Sequence, residues 1–108
     1  MDMVVYETRW GRVPFQKWLN KLKDYEGRAI INTRLDRVQT GSFGDCNYLR
    51  DGIWELRIHV GPGYRVYFAK LEQETVILLL LGGLKKTQER DIEQAIELFV
   101  DFKKRYDI

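Results

Sequence analysis

The stretch that decides the fold is Trp54–Lys70, WELRIHVGPGYRVYFAK. Trp54, Leu56, Ile58 and Val60 alternate with Glu55, Arg57 and His59, so the two sets point to opposite faces of a strand. Gly61-Pro62-Gly63 breaks the run and supplies a turn. Tyr64–Lys70 resumes the alternation, with Val66 and Phe68 on one face and Arg65 and Tyr67 on the other. Two strands and a turn follow, which gathers Glu55, Arg57, His59, Arg65 and Tyr67 on the polar side of a hairpin. That polar side is the candidate site.

Outward from the hairpin, Glu72-Gln73-Glu74 makes a polar turn and Thr75–Leu81 a third strand. Its run Val-Ile-Leu-Leu-Leu-Leu lacks alternation, so both faces are covered and the strand is central. Gly82-Gly83-Leu84-Lys85-Lys86 turns the chain, and Thr87 is an N-cap for a last helix with Ile92, Ala95, Ile96 and Phe99 as its apolar stripe. Acids early in that helix and Lys103, Lys104 and Arg105 late suit the helix dipole, so the terminal basic run needs no ligand to explain it.

Upstream, Met3–Thr8 is β-branched and aromatic and reads as an edge strand. Pro14 suits the first turn of a helix, and Phe15, Trp18, Leu19 and Leu22 form one stripe. Arg28–Thr40 reads as a second helix with Ile31, Leu35 and Val38 inward. Arg28, Arg34 and Arg37 fall on its solvated side, where local ion pairs account for them. Gly41–Gly52 is dense in turn formers and reads as a loop.

The order is strand, two helices, three strands, helix. Short connections make the three strands an antiparallel meander. Helices cover one face of the sheet and leave the other for function, in an α+β domain. The 108 residues, 1–108, fit a single domain. A net charge of +2 is too small to argue for nucleic-acid binding by itself. Cys46 is the only cysteine, which excludes an intramolecular disulfide and reads as a passive thiol. The N-terminus meets charge before any useful apolar run, and Val76–Leu81 is far short of the roughly 20 residues of a membrane span. These features lead to the expectation of a soluble cytoplasmic protein that does not engage a membrane.

The blocks ELRI-HV-GPGYRVYF and ILLLLGGLKKTQERDIEQA, with FQKWLNKL and RLDRVQTGSFGDCNYLRDGIWEL before them, resemble the RelE/ParE toxin superfamily. The likeness is to the HigB-like, phage Gp49-like addiction-module killer proteins, roughly from Phe15 to Ala95. The resemblance implies a RelE-like fold and the toxin of a type II toxin–antitoxin pair. Such toxins typically cut mRNA in the ribosomal A site, so ribosome and mRNA are implied partners. A cognate antitoxin, commonly a helix-turn-helix protein, would silence the toxin. Arg65 matches the strand arginine that stabilises phosphate charge, Arg57 an arginine on the preceding strand, and Lys85 and Lys86 the basic pair that closes the site. Glu55 stands where RelE-like enzymes carry lysine. Ile92 falls near the place of a base-stacking tyrosine.

Attack by a 2′-OH needs a base, a cation for the charged phosphorane and an acid, with no obligatory metal or cofactor. Arg57, Arg65, Lys85 and Lys86 are the candidate cations, and Glu55 or His59 the candidate base. Tyr67 is a candidate for stacking on a base or lending a proton. Two readings of Glu55 stand level, a general base and an ion pair to Arg57 or Arg65. A lone histidine beside a turn reads first as exposed and second as catalytic. The functional reading leads for Arg65, beside a Gly-Pro-Gly turn. A ParE-like toxin that inhibits gyrase without cutting RNA, or a degenerate antitoxin-binding module, is the alternative.

Overall fold

The sheet is built around Tyr64–Leu71 (β4 in the numbering below), six of whose eight residues are buried. The computed structural model describes residues 1–108. In chain order the elements are β1 (Asp2–Val5), α1 (Pro14–Lys21), α2 (Tyr25–Gln39), β2 (Cys46–Arg50), β3 (Ile53–Ile58), β4, β5 (Val76–Leu84), a 3-10 turn (Lys85–Thr87) and α3 (Gln88–Tyr106). The strand order is β1-β5-β4-β3-β2. β2 through β5 are antiparallel, and β1 adds a parallel edge with Asp2 opposite Val76. The fold is α+β, and no helix is long and apolar enough to cross a membrane.

Four features differ from the sequence reading. The first is β2, which lies inside the stretch read as a loop. The sheet therefore has a fifth strand and the meander has four. The second is the length of β5, which runs through Gly82 and Gly83 to Leu84. Neither glycine ends it, because each makes room for a neighbour. A Cβ on Gly82 would lie 2.1 Å from Trp18, and one on Gly83 would lie 2.0 Å from the Asp91 carboxylate. The third is α2, which begins at Tyr25 and takes Gly27 inside. Asp24 caps it, its Oδ1 accepting from the Gly27 N–H at 2.9 Å and its Oδ2 from the Tyr64 hydroxyl at 2.7 Å.

The fourth bears on the site: helices cover both faces of the sheet. α1 and α2 supply Phe15, Leu19, Ile31, Leu35 and Val38, which pack on Leu56, Ile58, Val66, Phe68, Ile77 and Leu79. On the other face α3 supplies Ile92, Ala95 and Phe99, which pack on Ile53, Tyr67, Ala69, Leu78, Leu80 and Leu81. A bulge opposite Tyr67/Phe68 puts Leu80 and Leu81 together on the α3 side. The polar side of the hairpin is thus partly roofed by the start of α3. The N-terminal segment is tied to the same helix, with Tyr6 Oη donating to Asp101 at 2.5 Å and Arg105 Nη2 donating to the Glu7 carbonyl at 2.5 Å.

Candidate functional site

The β3–β4 turn closes tightly, with the Gly63 N–H donating to the Val60 carbonyl at 2.9 Å. Gly61 and Gly63 both adopt positive φ, which a side chain would strain. Gly63 also lets two cations come close: a Cβ there would sit 3.2 Å from Lys85 Cβ and 3.8 Å from Arg65 Nη1. The Lys85 N–H donates to the Gly63 carbonyl at 2.9 Å, which pins the end of β5 to the turn. Around this turn lies an open depression of about 290 Å³, lined by His59, Gly61, Pro62, Gly63, Arg65 and Lys85. No acidic side chain lines it. Its cations and bare turn backbone suit an anion of phosphate type.

Beneath the depression is a buried polar network. Arg57 and Arg65 are direct cross-strand partners, an unfavourable pairing of like charges. Glu55 relieves it. Its Oε1 accepts from Arg57 Nε at 2.9 Å, and its Oε2 lies 3.9 Å from Arg65 Nε. Gln88, from the first turn of α3, donates to the same Oε2 at 2.5 Å. Glu55 is 0% exposed and Arg65 4% exposed. Arg65 makes one hydrogen bond inside the protein, from Nη1 to the Tyr64 carbonyl at 3.2 Å, and its Nε has no hydrogen-bond partner. A buried guanidinium so little committed is poised to take an incoming oxyanion. Beside the network, Thr87 Oγ1 donates to the buried Asp91 at 2.6 Å.

The chain matches the family model for phage-derived protein Gp49-like (DUF891) over residues 17–100. It belongs to that family. A Haemophilus influenzae protein described as uncharacterized is 51% identical to this Gp49-like chain over 81 residues, which is 75% of this chain and 81% of that protein. The family is related to toxin–antitoxin systems, which suggests a toxin-type function and an antitoxin partner. The matched span contains every residue that lines the depression.

Within this Gp49-like fold the candidate residues separate into three groups. Arg65, Lys85 and His59 meet at the depression. Glu55 and Arg57 form the ion pair under it. Lys86 and Tyr67 stand apart from both. Lys86 is exposed in the 3-10 turn, outside the lining of the depression. Tyr67 is 0% exposed within the α3-side core, so a base cannot stack on it while α3 is in place. Its hydroxyl has no hydrogen-bond partner; burial first, then the charges of Glu55 and Asp91, raise its pKa well above the ordinary tyrosine value. Cys46 is half-buried, and burial raises its thiol, in line with a passive role.

Three residues that the sequence reading did not assign to the site also belong to its surroundings. Gln88 buries its amide on Glu55. Asp45 Oδ2 lies 2.5 Å from His59 Nε2. Arg34, read as solvated, donates to the carbonyls of Arg57 at 2.7 Å, Phe43 at 3.1 Å and Asp45 at 3.3 Å. Its place among the outward residues of α2 shows only that it leaves the helix core, and the β2 loop lies there to receive it.

Proposed function

We propose that this protein is the toxin of a toxin–antitoxin pair and acts as an mRNA endonuclease on the ribosome. The observation that carries the reading is Arg65: a buried guanidinium with spare donors, facing a cationic depression built on a Gly-Pro-Gly turn. In this reading the scissile phosphate enters the depression. Arg65 donates to its non-bridging oxygens and holds the charge that grows as the 2′ oxygen attacks. Lys85, exposed at the rim, adds a second positive charge. His59 takes the 2′ proton. The 2′ O–P bond forms and the P–5′ O bond breaks, leaving a cyclic phosphate, while water from the open side protonates the leaving oxygen. Glu55 serves as the counter-ion that keeps Arg65 and Arg57 in place.

Purified protein added to a cell-free translation reaction tests this, with mRNA ends mapped by primer extension with and without ribosomes. Cuts within codons that require ribosomes are expected. Arg65→Lys, which keeps the charge beside Glu55 but loses the guanidinium fork, is expected to abolish them and retain the fold. Intact mRNA under normal translation would refute the reading. The burial of Glu55 and Tyr67 favours a second reading, because it leaves His59 as the one candidate base at the depression. That reading is a ParE-like inhibitor of gyrase or a module that only binds its antitoxin; loss of gyrase supercoiling activity would identify the former.

A further inference from the structure

We infer that Asp45 is a positioning residue that holds the His59 imidazole at the depression, so that an Asp–His pair carries the proton transfer. The inference rests on the nuclease reading above. His59 is the only histidine in the chain and lines the depression together with Arg65 and Lys85. Its Nε2 lies 2.5 Å from Asp45 Oδ2. A carboxylate only accepts, so Nε2 is the atom that carries hydrogen, and the neutral ring keeps its lone pair on Nδ1. That is the protonation a general base requires.

An exposed ion pair ordinarily contributes little, because ordering two side chains costs what the contact gains. Here the backbone that carries Asp45 is ordered by other contacts. Its carbonyl accepts from the Arg57 N–H at 2.9 Å and from Arg34 Nη2 at 3.3 Å. The same Arg34 guanidinium binds the carbonyls of Phe43 and Arg57, tying α2, the loop and β3 at one point. Gly44 lies so close over it that a Cβ there would sit 3.1 Å from Arg34 Nη2. The carboxylate is therefore delivered to His59 by α2 and β3. The charged groups around the pair are Arg57 from β3 and Arg34 from α2, which act on Asp45, and Arg65 from β4 and Lys85 from the 3-10 turn, which line the depression with His59. The His59 hydrogen bond, followed by the His59, Arg57 and Arg34 charges, holds the Asp45 carboxyl below its ordinary range.

In the reaction the 2′-OH proton passes to Nδ1 as the 2′ O–P bond forms, and Asp45 stabilises the imidazolium. General-base catalysis contributes about 10²–10⁴-fold, and an aspartate that orients the histidine can carry most of it. The test is a cycle of Asp45→Ala, His59→Gln and the double variant, read by ribosome-dependent cleavage rate across pH. Alongside it, proton–nitrogen spectra of the single histidine are recorded on the full-length protein. Asp45→Ala keeps its backbone clamps, and a thermal melt checks that it folds. The expected result has four parts: a downfield, hydrogen-bonded Nε2–H signal in the unsubstituted protein, its loss in Asp45→Ala, a rate loss in Asp45→Ala of at least about 10-fold and no greater than the roughly 10²–10⁴-fold of general-base catalysis, and no loss in the double variant beyond that of His59→Gln. Undiminished cleavage by Asp45→Ala, or losses that multiply in the double variant, would overturn the positioning role and leave the nuclease standing. No cleavage by the unsubstituted protein would overturn the nuclease reading and the proton role together.

Discussion

Glu55→Ala tests the buried network most directly. Three interactions are lost. The pair with Arg57 counts least, because that side chain is 39% exposed and its charge returns to water. The hydrogen bond from Gln88 is to a charged acceptor, worth about 1.5–3 kcal/mol. The largest effect is on Arg65, left 4% exposed with no counter-charge. Removing one partner of a buried pair typically costs about 3–5 kcal/mol. Against a total of roughly 5–15 kcal/mol, that is a large share of the stability. The thermal midpoint should fall by at least about 12 °C, taking about 4 °C per kcal/mol for a domain near this size. Urea unfolding followed by tryptophan fluorescence measures the loss, with the slope checked for constancy. Replacing both partners, as Glu55→Met with Arg65→Met, should recover most of it, because no unpaired charge is left inside. A loss below about 1 kcal/mol for Glu55→Ala would equate the pair with an exposed one and refute the reasoning.

Lys85→Ala should weaken RNA cleavage more than Lys86→Ala, and the difference should shrink as salt rises, because Lys85 lines the depression and acts through charge; equal effects in a salt series would count against the site. Gly82→Ala should cost about 1–3 kcal/mol by overpacking. The new methyl meets Trp18, which Phe15 and Tyr64 already hold at ring separations of 6.0 and 6.1 Å; an unchanged urea midpoint would disprove the contact. Burial, then the hydrogen bond to Asp24, pushes the Tyr64 phenol up to about 12 from an ordinary value near 10. Its stabilising contribution is complete below pH 10 and is lost as pH rises toward 12. Tyr64→Phe should therefore flatten the alkaline limb of stability against pH, and a limb just as steep in the variant would assign it to other groups.

The parts of the fold legible in the sequence were those with a strong period. Alternation through Trp54–Val60, stopped by Gly-Pro-Gly, defined β3 and β4, and the leucine run marked β5 as covered on both faces. β2 was hidden because CNYLR is only five residues long, sits among turn formers and is interrupted by a bulge at Leu49. Alternation also assigns residues to two faces without saying which helix covers each. Glu55, Arg57, Arg65 and Tyr67 therefore read as an open polar face, whereas α3 roofs part of it. The charges of Arg57 and Arg65 make the burial of Glu55 tolerable by pairing with it, which a residue-by-residue hydropathy reading misses. Asp45 and Gln88 carried no signal, since their roles depend on a loop and a helix start brought in from distant segments.

The parallel edge formed by β1 sets a schedule for synthesis. Asp2 pairs with Val76, and Tyr6 and Glu7 reach α3 at Asp101 and Arg105. β1 has no partner until β5 has been made. At about 5–20 residues per second, translation leaves that strand waiting for several seconds. Gln88, the amide that seals Glu55, emerges later still. The nascent chain thus carries an unpaired strand and an unroofed ion pair until α3 has been made, and only then can the depression take its final form.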